Sequence, residues 1–361
     1  MRIRLDKIAS STMNANLARR VVVGPDIPAV PGAVVAVRVL DEKTTYNSIE
    51  DVHGRLMTVH RGDIVAGVLG KRDALRGYAG KVPDSVKPGD ILHLLNLGGV
   101  IGECTSHNPS VGLPARVEVL GSVLQFPELG RRVGVPACIS PGPVAVSDSL
   151  DALPPMVLLV GSCMHAGKTS AACTLVRAAT DRGLDVGVAK VTGVALRRDV
   201  LEMQDHGALI ATTFADAGLP STCMGEVLPA AKGCLNHVAA QRPDFMVVEL
   251  GDGLMRTYGV REILADPEIQ AATRAIVLAA TDPVAAWGGS LLLKELGLQA
   301  TTITGPATDN EAGRDAIALR VPGAAPLNAR TQAEAFVKTT LDAALSPTPA
   351  FAAPRAEARA K

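Results

Sequence analysis

The run Met156-Val157-Leu158-Leu159-Val160-Gly161-Ser162-Cys163-Met164-His165-Ala166-Gly167-Lys168-Thr169-Ser170 decides the fold. Its first six residues are short and apolar, as a strand buried on both faces requires. From Lys168 to Arg182 the apolar residues recur at helical spacing, and Gly183 follows as a stop signal. Between strand and helix lies a loop with the spacing xxxxxGK[ST]. Ser162 stands at its usual first glycine, directly after Gly161. Strand, loop, Lys-Thr and helix coincide, so the loop reads as a phosphate cradle rather than an ordinary turn. Successive N–H groups of such a loop wrap phosphate oxygens, and the helix N-terminus adds a favourable dipole. The expected contacts to a nucleotide run through Gly161, Ser162, Cys163, Met164, His165, Ala166, Gly167, Lys168, Thr169 and Ser170. Lys168 is expected at the β- and γ-phosphates, and Thr169 on Mg²⁺ through its hydroxyl.

Outward from this loop the pattern keeps alternating. Asp185–Lys190, Asp244–Glu249, Arg274–Ala280 and Ala300–Thr304 read as buried strands separated by stretches of helical composition. That alternation predicts an α/β domain with a mainly parallel sheet over residues 156–345. Asp244–Glu249 ends in an acid and is followed by the turn Gly251-Asp252-Gly253. A phosphate-loop protein puts its water- or Mg²⁺-directing carboxylate there; the plainer alternative for Glu249 is a capping acid.

Residues 1–134 have a different character. Runs at Arg20–Val23, Ala33–Leu40, Asp63–Leu69, Asp90–Leu97 and Ala115–Leu120 are broken by Gly, Pro and Asp. They predict a smaller all-β domain, a barrel or a sandwich, with a helical spacing only around residues 71–77. Residues 135–155 are proline-dense and read as a linker. The Pro/Ala-rich, charged ending, residues 346–361, reads as a disordered tail.

The whole chain has 361 residues, with 36 Lys+Arg balancing 36 Asp+Glu, so the basic excess of a nucleic-acid-coating protein is missing. Aromatic residues are only 2%, which also argues against a base-stacking platform. No run approaches the ~20 apolar residues of a membrane helix, and Met1-Arg2-Ile3-Arg4-Leu5-Asp6 has no apolar signal core. A cytoplasmic protein with reduced thiols is expected, its six cysteines showing no CxxC pair. The expected partner is a small-molecule substrate, with no nucleic acid and no membrane; a homodimer is left open.

The C-terminal half resembles the dethiobiotin synthetase-like branch of the phosphate-loop NTPases. That branch carries G-T-D-x-x-x-G-K-T, and Gly161 to Thr169 has the same length with Cys163 at the Asp. Lys190-Val191-Thr192-Gly193 looks like its second strand, which ends in Lys near a Thr/Ser-Gly. Val248-Glu249-Leu250-Gly251-Asp252-Gly253 is similar to its V-E-G-x-G element. The likeness covers residues 156–305. It implies ATP and Mg²⁺ as cofactors, Lys168, Lys190 and Glu249 as catalytic residues, and Thr169, Glu249 and an Asp on the metal. Asp205 is the chosen Asp, with Asp199 and Asp216 competing. Cys163 occupies the position where MinD-like ATPases carry an extra Lys, and the C-terminal half has no Asn-Lys-x-Asp for guanine selection. ATP is therefore expected over GTP.

Other groups carry weaker signals. Cys163 with His165, and Cys104 with His107, offer thiolate and imidazole for a transition metal, though neither pair has ligand spacing. Arg61-Gly62-Asp63 reads as a turn. Arg197-Arg198 suits either an anion clamp or a solvated surface. Thr281-Asp282-Pro283 stands at a strand end, where open α/β sheets bind ligands, and Asn310 is a candidate for the base. Two functions follow as expectations. One is an enzyme using Mg-ATP to phosphorylate a carboxylate- or carbamate-type oxyanion, ligase- or cyclo-ligase-like. The other is a nucleotide-driven switch or metal-insertion chaperone.

Overall fold

The computed structural model describes residues 1–128, 130, 133–223 and 225–346. Apart from Ser346, the expected tail lies outside the described residues. The chain divides into two units. The first comprises Met1–Val146 with Gly193–Leu201 and Thr213–Glu226; the second comprises Ser147–Thr192, Glu202–Thr212 and the chain from Val227 onward.

Five strands organise the first unit: β1 (Val34–Val39), β2 (Ile64–Leu69), β3 (Ile91–Leu94), β4 (Val100–His107) and β5 (Arg116–Gln125). Pairing runs from β5 to β1, β2, β4, β3 and back to β5, a closed circuit that is antiparallel except between β2 and β4. Closure removes the unpaired edges that an open sheet exposes. Strand periodicity sorts β1 onto two buried faces. Val35, Val37 and Val39 pack with Val65, Leu69, Ile101, Val117 and Val119, while Val34 and Ala36 pack with Ala66, Val68, Val100 and Val123. Two apolar faces explain why these strands read as unbroken hydrophobic runs. At β5 the register shifts between Val119 and Gly121. Gly121 has φ 151°, and a Cβ there would lie 2.6 Å from the Gly24 carbonyl oxygen, so the bulge needs glycine.

The helical spacing at 71–77 forms no helix. Arg72–Asp73 is a short strand paired with Tyr78–Lys81, which in turn pairs with β4. The first part of the proline-dense stretch joins the sheet as well: Val135–Pro136 pairs with β5, and Cys138 bridges to Ala33. Two segments from beyond residue 190 complete this unit. Asn96 Nδ2 donates to the Ala195 carbonyl at 2.8 Å, and Asn14 Nδ2 to that of Ala215 at 2.7 Å. The fully buried Glu50 accepts the backbone N–H of Arg197 at 2.8 Å and of Arg198 at 2.7 Å.

The second unit follows the alternation read from sequence: β6 (Met156–Gly161), α1 (Lys168–Thr180), β7 (Val186–Thr192), α2 (Arg198–Asp205), β8 (Ile210–Thr213), α3 (Val227–Ala239), β9 (Phe245–Leu250), α4 (Val260–Ala265), α5 (Pro267–Ala272), β10 (Thr273–Ala279), α6 (Pro283–Glu295), β11 (Thr302–Thr304), α7 (Glu311–Arg320), β12 (Ala325–Pro326) and α8 (Ala333–Ala344). Helix α2 and strand β8 each run across the division between the units. The sheet order is β8-β7-β9-β6-β10-β11-β12, and the pairs from β7 to β12 are parallel. One face takes α1 and α8, where Leu175, Val176, Phe336 and Leu341 pack on Val157, Leu159, Val188, Val247 and Val277. The other takes α3, whose Val238 lies against Gly187, and α6, whose Gly289 lies against Leu278. Strand β6, buried throughout, sits between β9 and β10. Among the described residues no helix is long and apolar enough to cross a membrane.

Glu50 makes the tie between strand and returning segment testable. Glu50→Gln replaces one accepting oxygen with a donor that faces an N–H. Urea unfolding should show a loss of about 1–3 kcal/mol; unchanged stability would mean the two bonds are dispensable.

Candidate functional site

The central strand β6 ends at Gly161 and delivers the chain into the loop, and α1 begins at Lys168. Backbone geometry there is special. His165 has φ 62° and Gly167, capping α1, has φ 100°; a left-handed histidine costs on the order of 1–3 kcal/mol, held in place by its surroundings. Ala166 is fully buried, Ser162, Cys163 and Met164 are half-buried, and Ser170 lies in the first turn of α1. Two glycines seat the loop from outside it. A Cβ on Gly253 would fall 2.6 Å from the Ser162 carbonyl oxygen, and one on Gly305 would fall 2.2 Å from that of Ala166.

Gly161 explains the serine at the usual first glycine. A Cβ at Gly161 would meet Lys168 Nζ at 2.9 Å and Cδ at 3.0 Å, so the space that Lys168 needs to fold back is made one residue earlier. Lys168 is 7% exposed. Its ammonium donates to the carbonyls of Cys163 at 3.0 Å and Asp252 at 2.6 Å. Burial pushes its pKa down and the neighbouring Lys190 adds to that, while Glu249 and Asp252 pull the other way.

Glu249, 2% exposed, is shared between two elements. Thr169 Oγ1 donates to its Oε2 at 2.9 Å, and Lys190 Nζ lies 3.5 Å from its Oε1. The parallel pairing of β7 with β9 puts Lys190 directly opposite Glu249. At the strand ends the Thr192 hydroxyl donates to the Gly251 carbonyl, and a Cβ on Gly251 would crowd Lys190 Cε at 3.0 Å. Loop, α1, β7 and β9 therefore converge on one carboxylate. A hydroxyl and a carboxylate are hard oxygen donors that fit Mg²⁺, and the open-ended Lys168 ammonium fits a phosphate oxygen.

Asp205 does not join this cluster. It is the exposed last residue of α2, and among the described residues no hydrogen bond or ion pair links its carboxylate to Thr169 or Glu249. Asp199 stands in the first turn of α2, and Asp216 closes a turn by accepting the Thr213 N–H at 2.7 Å. Asp252 is the acid beside Lys168, signalled in sequence by its place in Gly-Asp-Gly after the strand. Arg197 spends its guanidinium on the Val52 carbonyl at 2.7 Å, and Arg198 is exposed. Asp282 caps α6 through the Ala285 N–H at 2.9 Å, which holds its carboxyl below the ordinary range, and Asn310 caps α7 through Gly313 at 2.8 Å. Among the described residues no group of three or more His, Cys, Asp or Glu is placed to hold a metal, at Cys163 and His165 or elsewhere.

The sheet order, the loop and the helix that follows it define a phosphate-loop NTPase-like α/β fold, accompanied by a separate N-terminal sheet-rich region. No family model matches the chain, and no curated protein does. Among solved structures, the signal recognition particle 54 kDa protein from Aeropyrum pernix in complex with GDP is 19% identical, with 49% of this chain and 41% of that one covered and a TM-score of 0.35. The signal recognition particle receptor FtsY from Elizabethkingia anophelis in complex with GDP is 13% identical, with coverage of 52% and 60% and a TM-score of 0.36. A duf1611 family protein from Anabaena variabilis is 19% identical, with coverage of 55% and 63% and a TM-score of 0.37. The chain thus spans less than two thirds of each of these proteins. Likeness at this level carries no argument, and the fold assignment rests on the topology above.

A paired substitution tests the seating of the loop. Gly253→Ala should cost about 1–3 kcal/mol, because its Cβ meets backbone that must shift. Gly288→Ala, in α6 with open space around it, should instead gain about 0.5–1 kcal/mol. Chemical unfolding reads both, and equal effects would remove the steric account.

Proposed function

We propose that the α/β unit binds Mg-ATP and transfers its γ-phosphoryl group to a small-molecule oxyanion, a carboxylate or carbamate, activating it for ligation or ring closure. The observation that carries this reading is the convergence of Thr169 and Lys190 on the buried Glu249, beside Lys168. Thr169 and Glu249 would hold Mg²⁺, which would supply positive charge to offset that of the phosphates. The loop N–H groups would bind the phosphates, and Lys168 would exchange its carbonyl partners for a phosphate oxygen. Lys190 would stabilise charge on the transferring group. In the transfer an acceptor oxygen forms the new bond to phosphorus, the bond to the β-phosphate oxygen breaks, and ADP leaves. The acceptor class is supported by the dethiobiotin synthetase-like pattern of Gly161–Thr169, Lys190–Gly193 and Val248–Gly253. ATP is favoured because the C-terminal half has no Asn-Lys-x-Asp. GTP, the other purine triphosphate, is the competitor to assay.

One observation favours a nucleotide-driven switch instead. Gly193–Leu201, directly after the Lys190 strand, belongs to the N-terminal unit and is capped there by Glu50. Phosphate release measured with panels of acids and amines, and then with protein partners or metal ions, separates the two readings. Stimulation by a small acid supports the enzyme; stimulation only by a protein or metal ion supports the switch.

Lys168→Ala should lower turnover by at least about 100-fold by removing the cation at the β/γ-phosphates. Near-normal turnover in the folded variant would refute the assignment. Glu249→Gln should still bind nucleotide through the backbone amides while turnover falls by at least about tenfold. Normal turnover would make Glu249 a structural acid.

A further inference from the structure

The N-terminal unit holds a charged group that its own fold does not neutralise. Arg72 is 4% exposed, yet among the described residues no carboxylate pairs with it. Its Nη1 donates to the Tyr46 hydroxyl at 2.8 Å and to the Leu95 carbonyl, its Nε makes no hydrogen bond, and its guanidinium lies 5.7 Å from the centre of the Tyr46 ring. A buried cation without a counterion is costly, and one ring face and two neutral acceptors offset only part of that cost. Space is nevertheless reserved for it: a Cβ on Gly77 would come 2.8 Å from Nη2.

Beside this group opens a small pocket, enclosing about 20 Å³ and open at its mouth, lined by Asp41, Lys43, Tyr46, Asn47, Leu94 and Asn96 among others. Its second cation, Lys43, makes no ion pair among the described residues, although the nearby Asp41 carboxylate pulls its pKa up against burial. Lys43 Nζ donates to the carbonyls of Leu113 at 2.5 Å and Val111 at 3.4 Å, and burial lowers its pKa. Tyr46 has φ 52°, a strained conformation for an aromatic residue. Because its oxygen accepts from Arg72, its own proton is left to donate. Asp41 is consumed by Arg116, which contacts it through its backbone N–H at 2.8 Å and its guanidinium at 2.8 Å.

We propose that this pocket is a binding site for a small singly charged carboxylate, held by Lys43 and the Tyr46 hydroxyl, with Arg72 behind Tyr46 supplying the balancing charge. With Asp41 held by Arg116, Lys43 is the cation on the pocket wall, and one such charge matches a monocarboxylate better than a phosphate dianion. The site lies wholly within the N-terminal unit and does not depend on the nucleotide reading.

Calorimetric titration of the full chain at constant ionic strength tests it, with acetate, lactate and inorganic phosphate as probes. Acetate or lactate should bind at one site per chain and raise Tm. Lys43→Met and Tyr46→Phe should each weaken binding at least tenfold, and Tyr46→Phe keeps the ring packed edge-on against Tyr78. Arg72→Met should abolish binding; a folded Arg72→Met protein that binds like wild type overturns the proposal. Lack of saturable carboxylate binding, binding of phosphate alone, or unchanged affinity in both the Lys43 and Tyr46 variants overturns it equally.

Discussion

A buried carboxylate must be compensated or it neutralises, and the α/β unit is organised around that requirement at Glu249. Its two oxygens are taken by Thr169 and Lys190. Thr169 lies in the first turn of α1, so one bond fixes the start of that helix, and with it the end of the loop, against β9. Lys190 ties the neighbouring strand at the same level. Lys168 is added as a second buried cation, satisfied only by carbonyl oxygens. Lys168 and Lys190 share the site with two buried acids, Glu249 and Asp252, and the Lys168 ammonium, held by carbonyl oxygens, is the cation whose partners a phosphate oxygen can replace.

Steric constraints complete what charge begins. Gly161, Gly253 and Gly305 each stand where a methyl group would strike Lys168 or the loop carbonyls. They come from three different strand ends, β6, β9 and β11, all at the carboxyl edge of a parallel sheet, where such sheets form ligand sites. The loop is thereby shaped by its neighbours as much as by its own residues. That is why Ser162 is tolerated at a position where the motif usually has glycine.

The α/β half was legible because it is locally redundant. An apolar strand, a Gly-Lys-Thr loop and a helix start are each visible within a few residues, and Glu249 ends a strand too apolar to be anything else. Asp205 ends α2, exposed and outside the Glu249 cluster, a placement that chain spacing within a resemblance cannot give; Asp252, signalled by Gly-Asp-Gly, reaches Lys168 through its backbone carbonyl as well as its charge. In the N-terminal half, Val100–His107 was missed because its second half, Glu103 to His107, is polar and partly exposed, so it lacks the run that marked its neighbours. Residues 71–77 mimicked a helical period, but Gly77 is needed beneath Arg72 and the segment pairs as strand. The closed circuit from β5 back to β5, and the return of Gly193–Leu201 to Glu50, are long-range facts that no window of sequence contains.

The most direct measurement is calorimetric titration of the whole chain with a non-hydrolysable ATP analogue, with Mg²⁺ present and then with the metal chelated. The Glu249-centred site predicts one saturable site per chain, tightened at least tenfold by Mg²⁺, with the corresponding GTP analogue binding more weakly. Absence of saturable nucleotide binding in both conditions would contradict the account.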